Sequence, residues 1–516
     1  MSSPKAALVE SPAPCLAENQ VKGLIAAAEA NIERLTVQIH ELSLAREKER
    51  SVLAALRSML VPIGKLPTEL FVEIFKLVTV LDACFDPKYY SSENARTALR
   101  SVLSLSQVSS YWRQIVHNSP QLWALEGFIR TCVDRESDVQ YLDGLEVLLA
   151  RSNPVPVSVA LVESGKNPGY RELSKTIARI VTPTAHRWKR LSIGLPSLLP
   201  QFNQIPPETF EALEDLFLCG FQEQMDPIVA FQSCPRLLNF GFECYSEAPK
   251  AHLLHLPWSQ IVHLEITLLS LLDCRTVLLQ CGNLVSAEVR AYDRGDSVPT
   301  AGGPVVATLP FLSKLDLTIC GRAWPSNELH SVGAFLAPLA LPSLKVFDVD
   351  FEDGESASWP TQVITLFQGR CPNIEQITLF SSSISSEGLT ALLRNAPALT
   401  TLDLISCLHC IDEHFWHALR YDVADACPLV PKLRNLRLEY VGDKFTDGSM
   451  EAAIRSRWWP SDGVSAVSPS RISRLKRVSV SRFGEDTWIE GLQVFSKEFE
   501  AQMQDMVDQG LSLELW

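Results

Sequence analysis

No run of about 18 uninterrupted apolar residues occurs in the 516-residue chain, so no helical membrane span is expected and no membrane partner is assigned. Positive charge is in short supply. Lys and Arg number 46 against 60 Asp and Glu, a net charge of −14, which argues against nucleic acid or an anionic lipid surface as the main partner. Met1 to Glu10 has no apolar run behind a basic start, so no signal peptide is expected. Thirteen cysteines form an odd, scattered set that reads as reduced thiols and suits a cytoplasmic or nuclear protein. There is no Gly-rich Lys-Ser/Thr phosphate loop, no Gly-x-Ser-x-Gly elbow and no His-Glu-x-x-His helix. No catalytic residue, cofactor or metal is therefore assigned, and the chain is read as a non-enzyme.

What is present is ordinary globular material, 46% apolar and 21% charged, in a chain too long for one core. Two or more domains, or one elongated repeat array, are expected. Residues 1–15, rich in Ser, Pro and Ala, show no periodicity and are expected to be disordered. Within 16–61, Ile25, Ala28, Ile32, Leu35, Ile39 and Leu42 follow a 3-4-3-4-3 spacing, and Leu53, Leu56 and Leu60 resume it. Arg46 and Glu49 interrupt the seam with charge. The pattern predicts a long amphipathic helix ended by Pro62 and Gly64, coiled-coil-like, which either folds back on its own chain or self-associates.

Residues 62–125 read as a three-helix unit. Pro67 suits a helix start, and Leu70, Phe71, Ile74, Phe75, Leu77 and Val78 make a broad apolar stripe behind it. Two shorter helical patterns follow, through Leu99, Val102 and Leu105, then Val108, Trp112, Ile115 and Val116. So small a unit has more apolar surface than it can bury alone and needs a partner. The stretch Ile63 to Phe75 resembles the opening of an F-box, and Leu105 to Arg113 with Pro120 to Trp123 resembles its closing half. The loop near 79–96 is longer than that family's usual connection, and Ser109-Ser110 stands where Cys-Arg is more usual. A coiled-coil-like helix ahead of such a box is similar to the F-box-like families of mushroom-forming fungi. The resemblance implies docking on a Skp-family adaptor of a cullin–RING ubiquitin ligase. Leu66, Pro67, Leu70, Ile74, Val108 and Trp112 are the adaptor contacts it points to, with Trp112 equally suited to the unit's core.

Residues 126–152 are read as a linking helix centred on Tyr141 to Ala150, and 153–516 as a repeat array. An apolar residue, two of any kind, an apolar residue, one of any kind and a third apolar residue recur at Trp188, Leu213, Leu237, Ile261, Leu284, Leu312, Leu344, Ile374, Leu399, Leu433 and Leu475. Six of these follow a proline two residues earlier (Pro235, Pro310, Pro342, Pro372, Pro397 and Pro431), and helical stretches such as Ser386 to Arg394 lie between. The spacing resembles leucine-rich repeats, which implies an α/β solenoid with a curved parallel sheet and helices outside. Val155 to Leu161 is the expected first strand and Leu511 to Leu515 the last.

Four features of this region could carry chemistry. Cys407, Cys410, His414 and His417 have zinc-ligand residue types, but Cys407 sits where repeats bury a cysteine, and the connecting loop is too short for a two-pair site. Packed cysteines and surface histidines are expected instead. Asp293 to Pro304 is read as a surface insertion. The Arg471, Arg474, Lys476, Arg477 and Arg482 run is read as a solvated edge. Finally, the residue between the second and third apolar positions of each repeat should face outward on the concave side. That column reads Ser192, Phe217, Gly241, Glu265, Glu288, Asp316, Asp348, Thr378, Asp403, Arg437 and Ser479. Glu265, Glu288, Asp316, Asp348 and Asp403 are thus expected to receive a basic segment of a client protein, or to serve solubility alone. The reading is an F-box-type substrate receptor, with a ligase-independent repeat scaffold as the alternative.

Overall fold

The computed structural model describes residues 18–60, 62–81, 92–124, 129–130, 139–162, 176–194, 199–219, 227–244, 253–268, 270–292, 306–320, 330–352, 361–459, 471–482 and 495–515. It divides into two compact units, Met1–Lys76 and Leu77–Trp516. The first 15 residues, Asp293 to Pro304 and most of the long loop after residue 81 lie outside the described residues.

The first unit holds α1 (Glu18–Leu60), a 3-10 turn at Pro62–Lys65 and most of α2 (Thr68–Leu81). Pro67 stands just before α2, and its carbonyl accepts the Leu70 and Phe71 N–H groups, so its missing donor costs nothing. Phe71 and Phe75, one turn apart, are fully buried with rings 5.7 Å apart edge to face.

The second unit begins with the end of α2 and continues with α3 (Ser92–Val108), α4 (Ser110–Asn118), α5 (Pro120–Trp123) and α6 (Val139–Arg151). Ser109 separates α3 from α4 by capping, its hydroxyl accepting the Trp112 N–H. Trp123 is buried and donates its indole N–H to the Val116 carbonyl at 2.7 Å, while the Arg151 guanidinium lies 4.5 Å over its ring. That one side chain therefore ties α5 to α4 and to α6. Arg187, also buried, donates to the carbonyls of Val155 and Leu149, so the helical part and the first repeats share one hydrogen-bonded junction. Burial lowers the pKa of this guanidinium.

Beyond the junction, fourteen parallel strands form one open sheet in chain order among the described residues. They are β1 (Ile129–Arg130), β2 (Val157–Val162), β3 (Trp188–Gly194), β4 (Asp215–Cys219), β5 (Asn239–Glu243), β6 (His263–Leu268) and β7 (Ser286–Tyr292). There follow β8 (Lys314–Cys320), β9 (Val346–Glu352), β10 (Gln376–Phe380), β11 (Thr401–Ile405), β12 (Asn435–Val441), β13 (Arg477–Arg482) and β14 (Ser512–Leu515). The sheet does not close, in keeping with the solenoid expected from the repeat spacing. The expected first strand is in fact the second. Ile129–Arg130 pairs parallel with Val159–Ala160, inside the stretch read as linker, and its two residues are too few to show a period.

The repeats align column by column. Leu216, Phe240, Leu264, Ala287, Leu315, Phe347, Ile377, Leu402, Leu436 and Val478 are mutual register partners, and all are buried. The prolines set the entry turn. In Cys234-Pro235-Arg236-Leu237 the Leu237 N–H bonds the Cys234 carbonyl, and Leu344, Leu399 and Leu433 repeat this bond. Proline is at the second turn position, where its fixed φ is an asset. On the other face of the repeats stand α7 (Leu271–Leu278), α8 (His330–Leu336), α9 (Thr361–Gln368), α10 (Ser386–Arg394), α11 (Glu413–Leu419), α12 (Asp447–Ser456) and α13 (Lys497–Asp508), each against the next. The N-terminal repeats use shorter pieces, 3-10 turns at Thr182–Arg187, Pro207–Phe210 and Trp258–Gln260 beside short helical segments at 176–181 and Leu199–Phe202.

Candidate interaction surfaces

Two surfaces bring the predicted residues into view. On α2 the buried Phe71 and Phe75 leave Leu70 and Ile74 on another face, 49% and 36% exposed. Leu77 and Val78, of the same apolar stripe, are 63% and 39% exposed. Ahead of the helix Leu66 is half-buried and Pro67 exposed. In the second unit Val108, at the end of α3, is 61% exposed, with Leu103 and Tyr111 at 41% and 43%. Trp112 is half-buried, which fits its alternative role as partly core. Each of these helices, taken by itself, leaves aliphatic side chains uncovered.

The second surface is the sheet face turned away from the helices. Glu265 stands opposite Glu288, Glu288 opposite Asp316, Asp316 opposite Asp348, Asp348 opposite Thr378, and Thr378 opposite Asp403. The register read from the sequence therefore holds, and all five acidic side chains are half-buried. Neighbouring parallel strands lie about 4.8 Å apart, so the ladder stacks like charges. Asp348 pays the clearest penalty: its Oδ1 is buried and has no hydrogen-bond partner among the described residues. Burial raises the Asp403 carboxyl pKa, Asp348 and Glu439 add to the rise, and the Arg437 guanidinium opposes it. One row further along, burial likewise raises Asp350, with Glu352 adding to it, and Glu243. Local cations answer part of the charge, through Lys314 at 4.0 Å from Asp316 and Arg290 at 3.8 Å from Glu352. At the C-terminal end the ladder changes sign at Arg437, held by Glu439 through bonds of 2.7 and 2.8 Å. There the small Ser479 leaves an open hollow of about 740 Å³ between Arg437, Arg477 and Glu514.

The cysteine–histidine run does not converge. Cys407 and Cys410 are fully buried, with Cys407 Sγ on the Leu379 and Ile405 carbonyls and Cys410 Sγ on the Cys407 carbonyl. His409, His414 and His417 are exposed. Ser386 Oγ donates to Asp412 Oδ1 at 2.6 Å and lies 3.2 Å from His414 Nδ1. Yet Asp412 is occupied in capping α11, accepting the Phe415 N–H, so the three do not form a relay for activating a hydroxyl. Among the described residues no group of three or more His, Cys, Asp or Glu could hold a metal ion.

The C-terminal basic run is not a uniformly solvated edge. Arg482 is only 8% exposed at its side chain, pairs with Asp447 at 2.7 Å, and lies 4.3 Å from both the Phe445 and Phe495 rings. Both rings come from segments distant in sequence, which is why the spacing of the run gave no sign of it. Arg474 is likewise engaged, donating to the Trp459 carbonyl and lying over the Trp458 ring. Lys476 and Arg477 do remain exposed.

Comparison with known families and structures adds the following. The F-box-like family model matches residues 63–124. Comparison with curated proteins returns no match. Among solved structures, the yeast Rad7 and Elc1 complex is similar at 15% identity, over 79% of this chain and 94% of that one, with a TM-score of 0.35. A Bacteroides fragilis protein is similar at 12% identity, over 74% and 82%, with a TM-score of 0.28.

Proposed function

We propose that this chain, which carries an F-box-like domain at residues 63–124 ahead of an open parallel-sheet solenoid, is a substrate receptor of a ubiquitin ligase. The domain docks on a Skp-family adaptor and so on a cullin–RING assembly, while the solenoid holds a client protein. The chain performs no bond chemistry itself and contributes proximity and orientation. The observation that carries the reading is that the family match coincides with the segment whose Leu70, Ile74 and Val108 are left exposed. Leu66, Pro67 and Trp112 complete the contact set. The ladder from Glu265 to Asp403 receives a basic segment of the client. Its half-buried carboxylates repel one another, and a cationic ligand relieves that repulsion. A cytoplasmic or nuclear location goes with this role, and among the described residues no helix is long and apolar enough to cross a membrane.

Co-purification of the full chain with a Skp-family adaptor and cullin tests the reading. Wild type is expected to retain both, and the Leu70→Ala/Ile74→Ala variant to lose them while keeping its thermal transition. Wild type that binds neither would leave the repeat-scaffold reading, in which the exposed α1 assembles complexes without a ligase.

A further inference from the structure

α1 runs for 43 residues with its apolar seam uncovered. Ile25 is 52% exposed, Ile32 64%, Leu35 44%, Ile39 65%, Leu42 70%, Leu53 47% and Leu56 56%. Their spacing is a heptad with Ile25, Ile32, Ile39, Arg46 and Leu53 at one core position and Ala28, Leu35, Leu42, Glu49 and Leu56 at the other. The two charged members have opposite signs and fall at different core positions, and this decides which partner the seam fits.

In a parallel pair every core residue meets its own copy. Arg46 would face Arg46 and Glu49 would face Glu49 in adjacent layers, burying two like-charge contacts. An antiparallel pair instead sets one core position against the other. The alignment that puts Arg46 against Glu49 of the second copy also puts Leu42 against Leu53 and Ile39 against Leu56, and two-fold symmetry makes each layer twice. Sliding by one heptad either way would put Arg46 on Leu42 or Leu56 and leave the charge unpaired. The flanking positions agree. Ser43 falls beside Arg50 and Thr36 beside Arg57 on one side, and Ala45 beside Val52 on the other, with no like-charge meeting. In the single chain Arg46 reaches, among the described residues, only the neighbouring Glu47, at 3.3 Å with both side chains more than half exposed. Glu49 has no partner among the described residues.

We propose that α1 pairs with α1 of a second copy as an antiparallel coiled coil, with two Arg46–Glu49 layers at its centre and aliphatic layers on both sides. The overlap covers residues 35–60, about 39 Å of helix. Buried ion pairs add little net stability, but they select one register and one direction. In this arrangement the two chains leave the paired helices, after Leu60, at opposite ends. A bivalent receptor of this kind gains avidity for a client carrying two binding segments. The pairing does not depend on the ligase reading.

Sedimentation velocity on the full chain tests it. Wild type is expected to be a dimer. Arg46→Glu alone, or Glu49→Arg alone, should raise the dimer dissociation constant about tenfold or more, because both central layers become repulsive. The double variant Arg46→Glu/Glu49→Arg should restore it, which separates charge pairing from any loss of helix. Direction is read by mixing Leu42→Cys and Leu53→Cys chains, oxidising, and mapping the linked peptides by mass spectrometry. A 42–53 link is the expected product. A 42–42 link, a wild-type chain that stays monomeric at high concentration, or an Arg46→Glu dimer of unchanged affinity would each overturn the proposal.

Discussion

Single side chains set the character of the solenoid's middle repeats and of its C-terminal end. Asp348 stacks on Asp316 in the acidic ladder with one oxygen buried and unpartnered. Asp348→Asn should therefore raise stability by about 0.5–1 kcal/mol while weakening a basic peptide, read by thermal denaturation and calorimetry. Asp403 has a raised carboxyl pKa from burial, so ionising it costs folding energy. Its favourable contribution is present below the ordinary carboxylate value and is lost as pH rises through the raised one. The same shift means that affinity for a basic peptide should fall on acidification at a higher pH than an ordinary carboxylate would dictate. A pH titration of peptide affinity checks this, and Asp403→Asn should flatten it. Arg482 acts in the opposite sense, as a buried cation held by Asp447 and two phenylalanine rings. Burial works to raise the Asp447 carboxyl, but bonds from Ser496 and the Arg482 charge outweigh it and hold it low. That pair stabilises above the ordinary carboxylate value and fails as pH falls through the lowered one. Arg482→Met should cost about 3–5 kcal/mol in denaturant unfolding, since it leaves a partly buried carboxylate without its cation.

At the level of strands and helices, the repeat is built from a proline-led turn, a strand with two inward apolar residues, and a return segment. Leu404 is fully buried in β11, and Leu404→Ala should destabilise the chain by about 2–5 kcal/mol, measured by urea denaturation. Because each repeat packs mainly on its neighbours, the loss should appear first as early exchange of the amides around β10 to β12. These strands were legible because the same apolar pattern recurs in each from Leu216 to Val478, though at uneven spacing, and six prolines mark its phase. The two-residue β1 was not, since it is too short to carry a period. The long α1 was legible from its seam, as was α10, whose Ser385 cap and apolar face are local features. What sequence could not show was where long-range contacts place a side chain. Arg482 looked like one more surface cation, and Arg474 like another. In each case the deciding neighbours lie far along the chain.

Taken whole, the chain carries exposed aliphatic side chains on α2 and on α3, and a long sheet whose free face is acidic through its middle repeats and mixed at its end. The F-box-like segment was readable from the residues that resemble it, and the acidic ladder from its column of positions. The hollow at Ser479 was not, because it depends on a small residue lying between larger ones on neighbouring strands. The account stands or falls on the box. Calorimetric titration of the full chain with a purified Skp-family adaptor should give a saturable one-to-one complex, and Leu70→Asp with Val108→Asp should weaken it by about 2 kcal/mol or more, roughly thirtyfold. Wild-type chain that shows no heat of binding, or a variant that binds as tightly as wild type, would contradict it.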